Sequence, residues 1–600
     1  MSRKVAPEAT VTLPIGVVHG TTLESGVHQY LGVPYAEPPI DTREAAFEAP
    51  KPLKMLLPEM EAGTREADAP LGITTPLVEC AAAMCPCACG TCCCASCLWC
   101  CCKASASSEK TDGKGMGLDV LRMNVWTPPS AAKEGGLPVM VWIHGGGDSG
   151  SGRISDPNSR SGARLSKAQG VVVCVLDFRQ GIFGVMDWGS DVPTNLELRD
   201  MVAALQFIQD HIGAFGGDKA CVTIVGESIG GRRVTELMWC PAAKGLFHRA
   251  IATSPSLGEM ANLSSAHLVY RRSLVNRYLG LPSDATPSKA ELALTPRLKL
   301  VHAQAAAKGQ GALLPATKLF GASAEAKKLF GAAAQVPTSQ RSLASASLGF
   351  LGWRTVDGLR TGPFDASVFD GSYMPSLVGA SPPAVEVPLL VLFTKDEFSA
   401  LGMFGALSKV SSRAEALERL VHMLPMRGVL DEATKAELAS DFLDTYASKV
   451  LPGRPLQEVY VAAMQDIWQY HPCISICTAH GGTLPGRAYL STLTYDGKGG
   501  TKHGTDVSLF FGEMPGVPIH DKGKDFEGMT TILQEAYVAF ARTGDPNTKA
   551  APFAPFDAAA PKMTVLDSPL SGGGCKVVET MAAKDEAYRA LVAAIRTTEK

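Results

Sequence analysis

The sequence predicts an α/β chain with a mainly parallel sheet covered by helices, and three observations carry that expectation. Short apolar runs read as buried strands at Pro138 to Ile143, Val171 to Leu176, Val222 to Val225 and Pro388 to Phe393. Longer segments of helical periodicity lie between them, the pattern that parallel strands joined by crossover helices leave in a sequence. At 600 residues, 46% hydrophobic and 19% charged, the chain suffices for a large buried core, and disorder throughout is excluded. The expected organisation is a single domain over residues 10–597 with insertions.

The chain opens Met-Ser-Arg-Lys-Val-Ala-Pro-Glu, with charges and a proline where the apolar core of a signal peptide would begin. Secretion by that route is not expected, and a cytoplasmic location is. The next distinctive stretch, Cys80 to Cys102, packs eleven cysteines and no charged residue into an insertion at 80–102. Its length would span a bilayer, but Pro86, Gly90 and a position inside the domain oppose a transmembrane helix. Thiolate metal binding, S-acylation that tethers the chain to a membrane, and a surface loop with no essential role all stay open. The crowded runs Cys92-Cys93-Cys94 and Cys100-Cys101-Cys102 do not form two clean Cys-x-x-Cys knuckles. The remaining cysteines are isolated, as small buried hydrophobes are, and agree with a reducing compartment.

The strand at Pro138 to Ile143 runs into His144-Gly145-Gly146-Gly147. The clearest helix extends from about Asn195 to Ile212, where Leu198, Met201, Val202, Leu205, Ile208 and Ile212 recur at spacings of three and four. Phe215-Gly216-Gly217-Asp218 then turns the chain into Val222 to Val225, and Gly226-Glu227-Ser228-Ile229-Gly230-Gly231 follows ahead of a segment that can be helical. Strand, sharp turn and helix are the setting that exposes a serine nucleophile. A serine hydroxyl is a weak nucleophile at neutral pH, so it needs a base beside it and donors for the oxyanion that forms. Lys502-His503-Gly504-Thr505-Asp506 offers the base, and the glycines after His144 allow the close backbone approach that oxyanion donors require.

Between the serine and the histidine, residues 281–350 are rich in Ala, Ser, Lys and Pro and repeat Lys-Leu-Phe-Gly at Lys318 to Gly321 and Lys328 to Gly331. A period of ten is too short for a solenoid unit, so this reads as a second insertion, over or beside the site. The formal net charge of -3, with no long Lys/Arg block, removes nucleic acid from the expected partners.

Laid side by side, these strings resemble the type-B carboxylesterases of the carboxylesterase and cholinesterase family. The resemblance rests on Tyr30-Leu31-Gly32-Val33-Pro34-Tyr35-Ala36 with Pro38-Pro39, Met123-Asn124-Val125-Trp126-Thr127-Pro128, and Asp177-Phe178-Arg179-Gln180-Gly181-Ile182-Phe183-Gly184. After the serine string come Lys244-Gly245-Leu246-Phe247-His248-Arg249-Ala250-Ile251, Asp370-Gly371, His503-Gly504 and Phe540-Ala541-Arg542-Thr543-Gly544-Asp545-Pro546-Asn547, in the family's order. It implies the α/β-hydrolase fold with large insertions and a triad of Ser228, Glu397 and His503, with Asp396 as the alternative acid. Backbone N–H groups of Gly146, Gly147 and Ile229 would form the oxyanion hole. Hydrolysis of a small-molecule carboxylic ester through an acyl-enzyme would follow, with neither metal nor organic cofactor.

Two alternatives stay open. Acyl transfer to an alcohol other than water would use the same residues, and a noncatalytic binding protein could stand on the same scaffold, although Ser228 and His503 are retained. Some positions depart from the family pattern: Ile229 stands where Ala is usual, Phe398 where Gly is common, and Arg232 and Arg233 where small residues follow the double glycine. A buried unpaired guanidinium is very costly, so each arginine must reach solvent or a carboxylate. Leu118-Asp119-Val120-Leu121 lacks the cysteine of the family's early disulfide, and Trp99 has no assignable choline contact, so cholinesterase activity is not expected.

Overall fold

A computed structural model of the chain describes residues 8–38, 44–56, 120–131, 135–146, 161–255, 265–295, 300, 303–304, 355–356, 359–360, 370, 373–375, 378–379, 381–397, 410–423, 432–495, 501–512, 524–571, 574–580, 582, 584 and 586. Twelve strands form one sheet: β1 (Glu8–Leu13), β2 (Gly16–Thr22), β3 (His28–Pro34), β4 (Arg122–Thr127), β5 (Leu137–Ile143), β6 (Val172–Leu176), β7 (Gly217–Glu227), β8 (Arg249–Thr253), β9 (Leu389–Thr394), β10 (Ala488–Leu493), β11 (Lys562–Leu566) and β12 (Lys576–Glu579). Their spatial order is β1-β2-β3-β4-β6-β5-β7-β8-β9-β10-β11-β12. From β6 through β11 every pairing is parallel, and antiparallel strands flank that block on both sides.

The described helices are α1 (Ala163–Gln169), α2 (Leu196–His211), α3 (Ile229–Met238), α4 (Ser265–Leu279), α5 (Lys289–Leu294), α6 (Arg413–Met423), α7 (Glu432–Thr445), α8 (Leu456–Gln465), α9 (His471–Gly481), α10 (Thr505–Phe511) and α11 (Lys524–Thr543). Because side chains alternate along a strand, β5 feeds two cores. Val139, Val141 and Ile143 pack on one face with Leu205 and Ile208 of α2 and Leu237 of α3. Met140 and Trp142 pack on the other with α10 and α11, where the Trp142 ring stacks on Phe510 at 4.8 Å. Burial on both faces is why the central strands read as unbroken apolar runs.

Helices α6, α7 and α8 enclose a core of their own, built on Leu420, Phe442, Tyr446, Tyr460 and Met464. A π-helical turn, Asp466–Tyr470, joins α8 to α9 and so links this helical layer to the sheet. Residues 281–295 of the second expected insertion include α5, capped reciprocally by Ser288 and Glu291, and its Leu292 and Ala293 lie buried. Residues 305–350 and the cysteine-rich stretch 80–102 lie outside the described residues. Among the described residues no helix is long and apolar enough to cross a membrane, and no group of three or more His, Cys, Asp or Glu side chains is gathered as a metal ion would need.

Candidate active site

Strand β7 ends at Glu227, helix α3 begins at Ile229, and Ser228 makes the whole turn between them. Its φ of 59° and ψ of -124° are unfavourable for any residue with a Cβ, the strain expected of a serine held out from a strand-to-helix elbow. The elbow closes because Gly230 has no side chain: a Cβ there would lie 2.1 Å from the Ile143 carbonyl oxygen. Strand β5 thereby comes up against the start of α3 and delivers His144-Gly145-Gly146 beside the serine. Gly146 has a φ of 111°, a conformation that needs glycine, and the Ile229 amide stands at the N-terminus of α3, where amides lack helical partners. Gly147, the third expected oxyanion donor, lies outside the described residues.

Three loops at the C-terminal ends of parallel strands bring the remaining parts together. His503 Nε2 lies 2.9 Å from Ser228 Oγ, and His503 Nδ1 lies 2.5 Å from Glu397 Oε2. The other oxygen of that carboxylate, Oε1, accepts from the Thr394 amide at 2.7 Å and from the Ser254 hydroxyl at 2.5 Å. Glu397 is sealed, with 1% of its side chain exposed, whereas His503 keeps 23% open to solvent. A closed acid and a reachable imidazole suit an orienting group and a proton acceptor respectively. Asp396, the alternative acid, contributes its backbone: its amide donates to the Thr501 carbonyl at 3.0 Å and it pairs with Lys502 in an isolated parallel bridge, while the carboxylate on His503 is that of Glu397. That bridge laces the acid loop to the histidine loop.

Sequence reasoning missed two further carboxylates. Glu227 Oε1 lies 3.2 Å from His503 Nε2, and Asp506 is buried in the first turn of α10. Both stand within the strings that flagged the serine and the histidine, and a carboxylate immediately before a candidate nucleophile was the available signal. For His503, burial pushes the pKa down, but Glu227 and Glu397, helped by the Glu397 hydrogen bond and Asp506, outweigh it and raise the value to about 10. Burial raises Asp506 to about 7, reinforced by repulsion from Glu227 and opposed by a Thr253 hydrogen bond.

Beneath the elbow, the two unexpected arginines have found carboxylates. Arg233 donates through Nε and Nη2 to the two oxygens of Glu197 at 2.7 and 2.8 Å, and through Nη1 to Glu236 at 2.5 Å. Arg232 Nε reaches the other Glu236 oxygen at 3.0 Å. All four side chains are buried, so neither guanidinium faces a substrate. His144 is buried as well, stacked on Phe178 with centroids 4.5 Å apart and its Nε2 3.4 Å from Asp177, which anchors the glycine loop from below.

Many known proteins resemble this chain in sequence and in fold. The chain matches, over 262 residues at 35% identity, the "Para-nitrobenzyl esterase" of Bacillus subtilis (strain 168), covering 43% of this chain and 45% of that protein. It is 45% identical over 137 residues to the "Liver carboxylesterase 1" of Oryctolagus cuniculus, covering 23% and 24%. The matched stretches thus span less than half the length of these curated relatives. A solved structure of a PNB esterase superposes with a TM-score of 0.65 over 97% of this chain and 99% of that one at 22% identity, and a thermophilic PNB esterase does so with 0.66. The likeness establishes the α/β-hydrolase fold. The sequence profile of the carboxylesterase family runs from residue 7 to 584 and takes in the elbow, the acid loop and the histidine loop, so the chain belongs to the carboxylesterase family.

Proposed function

We propose that this chain hydrolyses carboxylic esters through an acyl-enzyme on Ser228, with His503 as general base and Glu397 as its orienting acid. The observation that carries the reading is the single line of contacts in which His503 meets Ser228 through Nε2 and Glu397 through Nδ1. As Ser228 Oγ attacks the ester carbonyl, His503 takes its proton, and the neighbouring carboxylates stabilise the imidazolium that forms. The negative charge passes to the carbonyl oxygen, where amides of Gly146, Gly147 and Ile229 donate to it. His503 returns the proton to the departing alcohol. Water then gives up a proton to His503 and attacks the acyl carbonyl, releasing the carboxylic acid and restoring the serine. The side chain of Ile229 adds β-branched bulk next to the acyl carbon and favours small or differently shaped acyl groups.

The test is hydrolysis of p-nitrophenyl esters from acetate to palmitate by wild type and Ser228→Ala side by side. The expected outcome is turnover by wild type that falls on the order of 10⁴-fold or more in the variant. A folded wild type with no turnover on any ester would favour a binding protein on this scaffold.

A further inference from the structure

Ser254 follows β8 and, like Ser228, has a positive φ, here 44°, without being glycine. Such a conformation persists only where surrounding bonds fix it. Three do: its amide donates to the Leu392 carbonyl at 2.6 Å, its hydroxyl donates to Glu397 Oε1 at 2.5 Å, and its carbonyl accepts from Gln469 Nε2 at 3.2 Å. The first two stay within the sheet and the acid loop. The third comes from the π-helical turn that joins the helical layer to α9.

Gln469 is a costly residue for its position. Its side chain is fully buried, and its Oε1 has no hydrogen-bond partner among the described residues. An unbranched apolar side chain of similar volume would avoid that unpaired oxygen, so packing does not account for an amide here. What the amide supplies among the described residues is a bond to the Ser254 carbonyl. We infer that Gln469 is a positioning residue for the triad: it holds the backbone of Ser254 in the left-handed conformation from which the hydroxyl reaches Glu397, and so fixes the carboxylate that orients His503. The inference rests on the triad reading above.

The experiment is a double-mutant cycle on Gln469→Met and Ser254→Ala in the full chain. The readouts are the rate of Ser228 labelling by a fluorophosphonate and the downfield proton resonance of the His503 Nδ1 hydrogen bond. Methionine keeps the length and removes the donor. With Ser254 present, Gln469→Met should slow labelling on the order of tenfold and weaken the resonance; in the Ser254→Ala background the same change should cost less than about twofold. Equal losses in both backgrounds, or no loss in either, would overturn the inference, because a merely structural role does not depend on the Ser254 hydroxyl. Should wild type fail to label at all, the hydrolase reading falls by itself, and the resonance in the same four proteins still decides the role of Gln469.

Discussion

His503 faces three carboxylates from three directions: Glu397 on Nδ1, Glu227 within 3.2 Å of Nε2, and Asp506 from the adjoining helix. Each favours the imidazolium, so each makes the neutral, proton-accepting form scarcer at a given pH and, on the proposed mechanism, stabilises the charged form that attack on the ester would create. Glu227→Gln keeps the shape and removes one of these charges. Its expected effect is a displacement of the acidic limb of the kcat/KM profile to lower pH, read from initial rates across pH on a p-nitrophenyl ester; an unmoved limb would show that Glu227 carries no charge in the working enzyme. Ser228 and His503 were legible because glycines and an apolar strand frame them. Glu397 was legible only through resemblance, since a carboxylate after a strand is common. Glu227 and Asp506 stood in the flagged strings, but that they converge on His503 only folding shows, and Ser254 and Gln469 were not legible, because they meet Glu397 and each other across more than 140 residues of chain with no spacing to betray them.

At the scale of elements, α3 is fixed beneath the nucleophile by an ionic cluster rather than by apolar packing alone. Removing one member leaves buried charge without its partner, so Arg233→Met should destabilise the fold by about 3–5 kcal/mol, measured by urea unfolding. Glu197→Leu added to that variant removes the carboxylate that Arg233 held through two bonds, while Glu236 keeps Arg232, and should recover part of the loss. The requirement that these arginines find carboxylates could be stated from sequence, but which acids they would find could not. Strands show the same division. The four apolar runs correspond to β5, β6, β7 and β9, yet β7 begins at Gly217 rather than near Val222, because its first residues are partly exposed and pair across a register shift with Leu137. The outer strands β1, β2, β11 and β12 are short or half exposed, and an apolar pattern does not reveal them. Helix α2 is the best-read element: its expected face is buried except for Val202, which is half-buried.

For the whole molecule, the isolated cysteines set a limit on the alkaline side. Cys174, Cys240, Cys473 and Cys477 are buried, and burial raises each thiol above the ordinary value of 9.0, to about 11 for Cys240. A group whose folded pKa exceeds its unfolded one stabilises fully below the unfolded value and loses that contribution as pH rises toward the folded one. The thermal midpoint should therefore fall steadily above about pH 9, by an amount that grows with each thiol the unfolded chain ionises, and scanning calorimetry from pH 7 to 10.5 would record it. One other property belongs to the chain as a whole. The serine and the histidine that contacts it are 275 residues apart, on the loops that follow β7 and β10. A ribosome that has finished the elbow has not begun the histidine loop, and the acid loop is made 106 residues ahead of it within that interval. On the proposed mechanism the nascent protein holds an unactivated hydroxyl throughout that interval, and reactivity begins only once the histidine loop that follows β10 is in place.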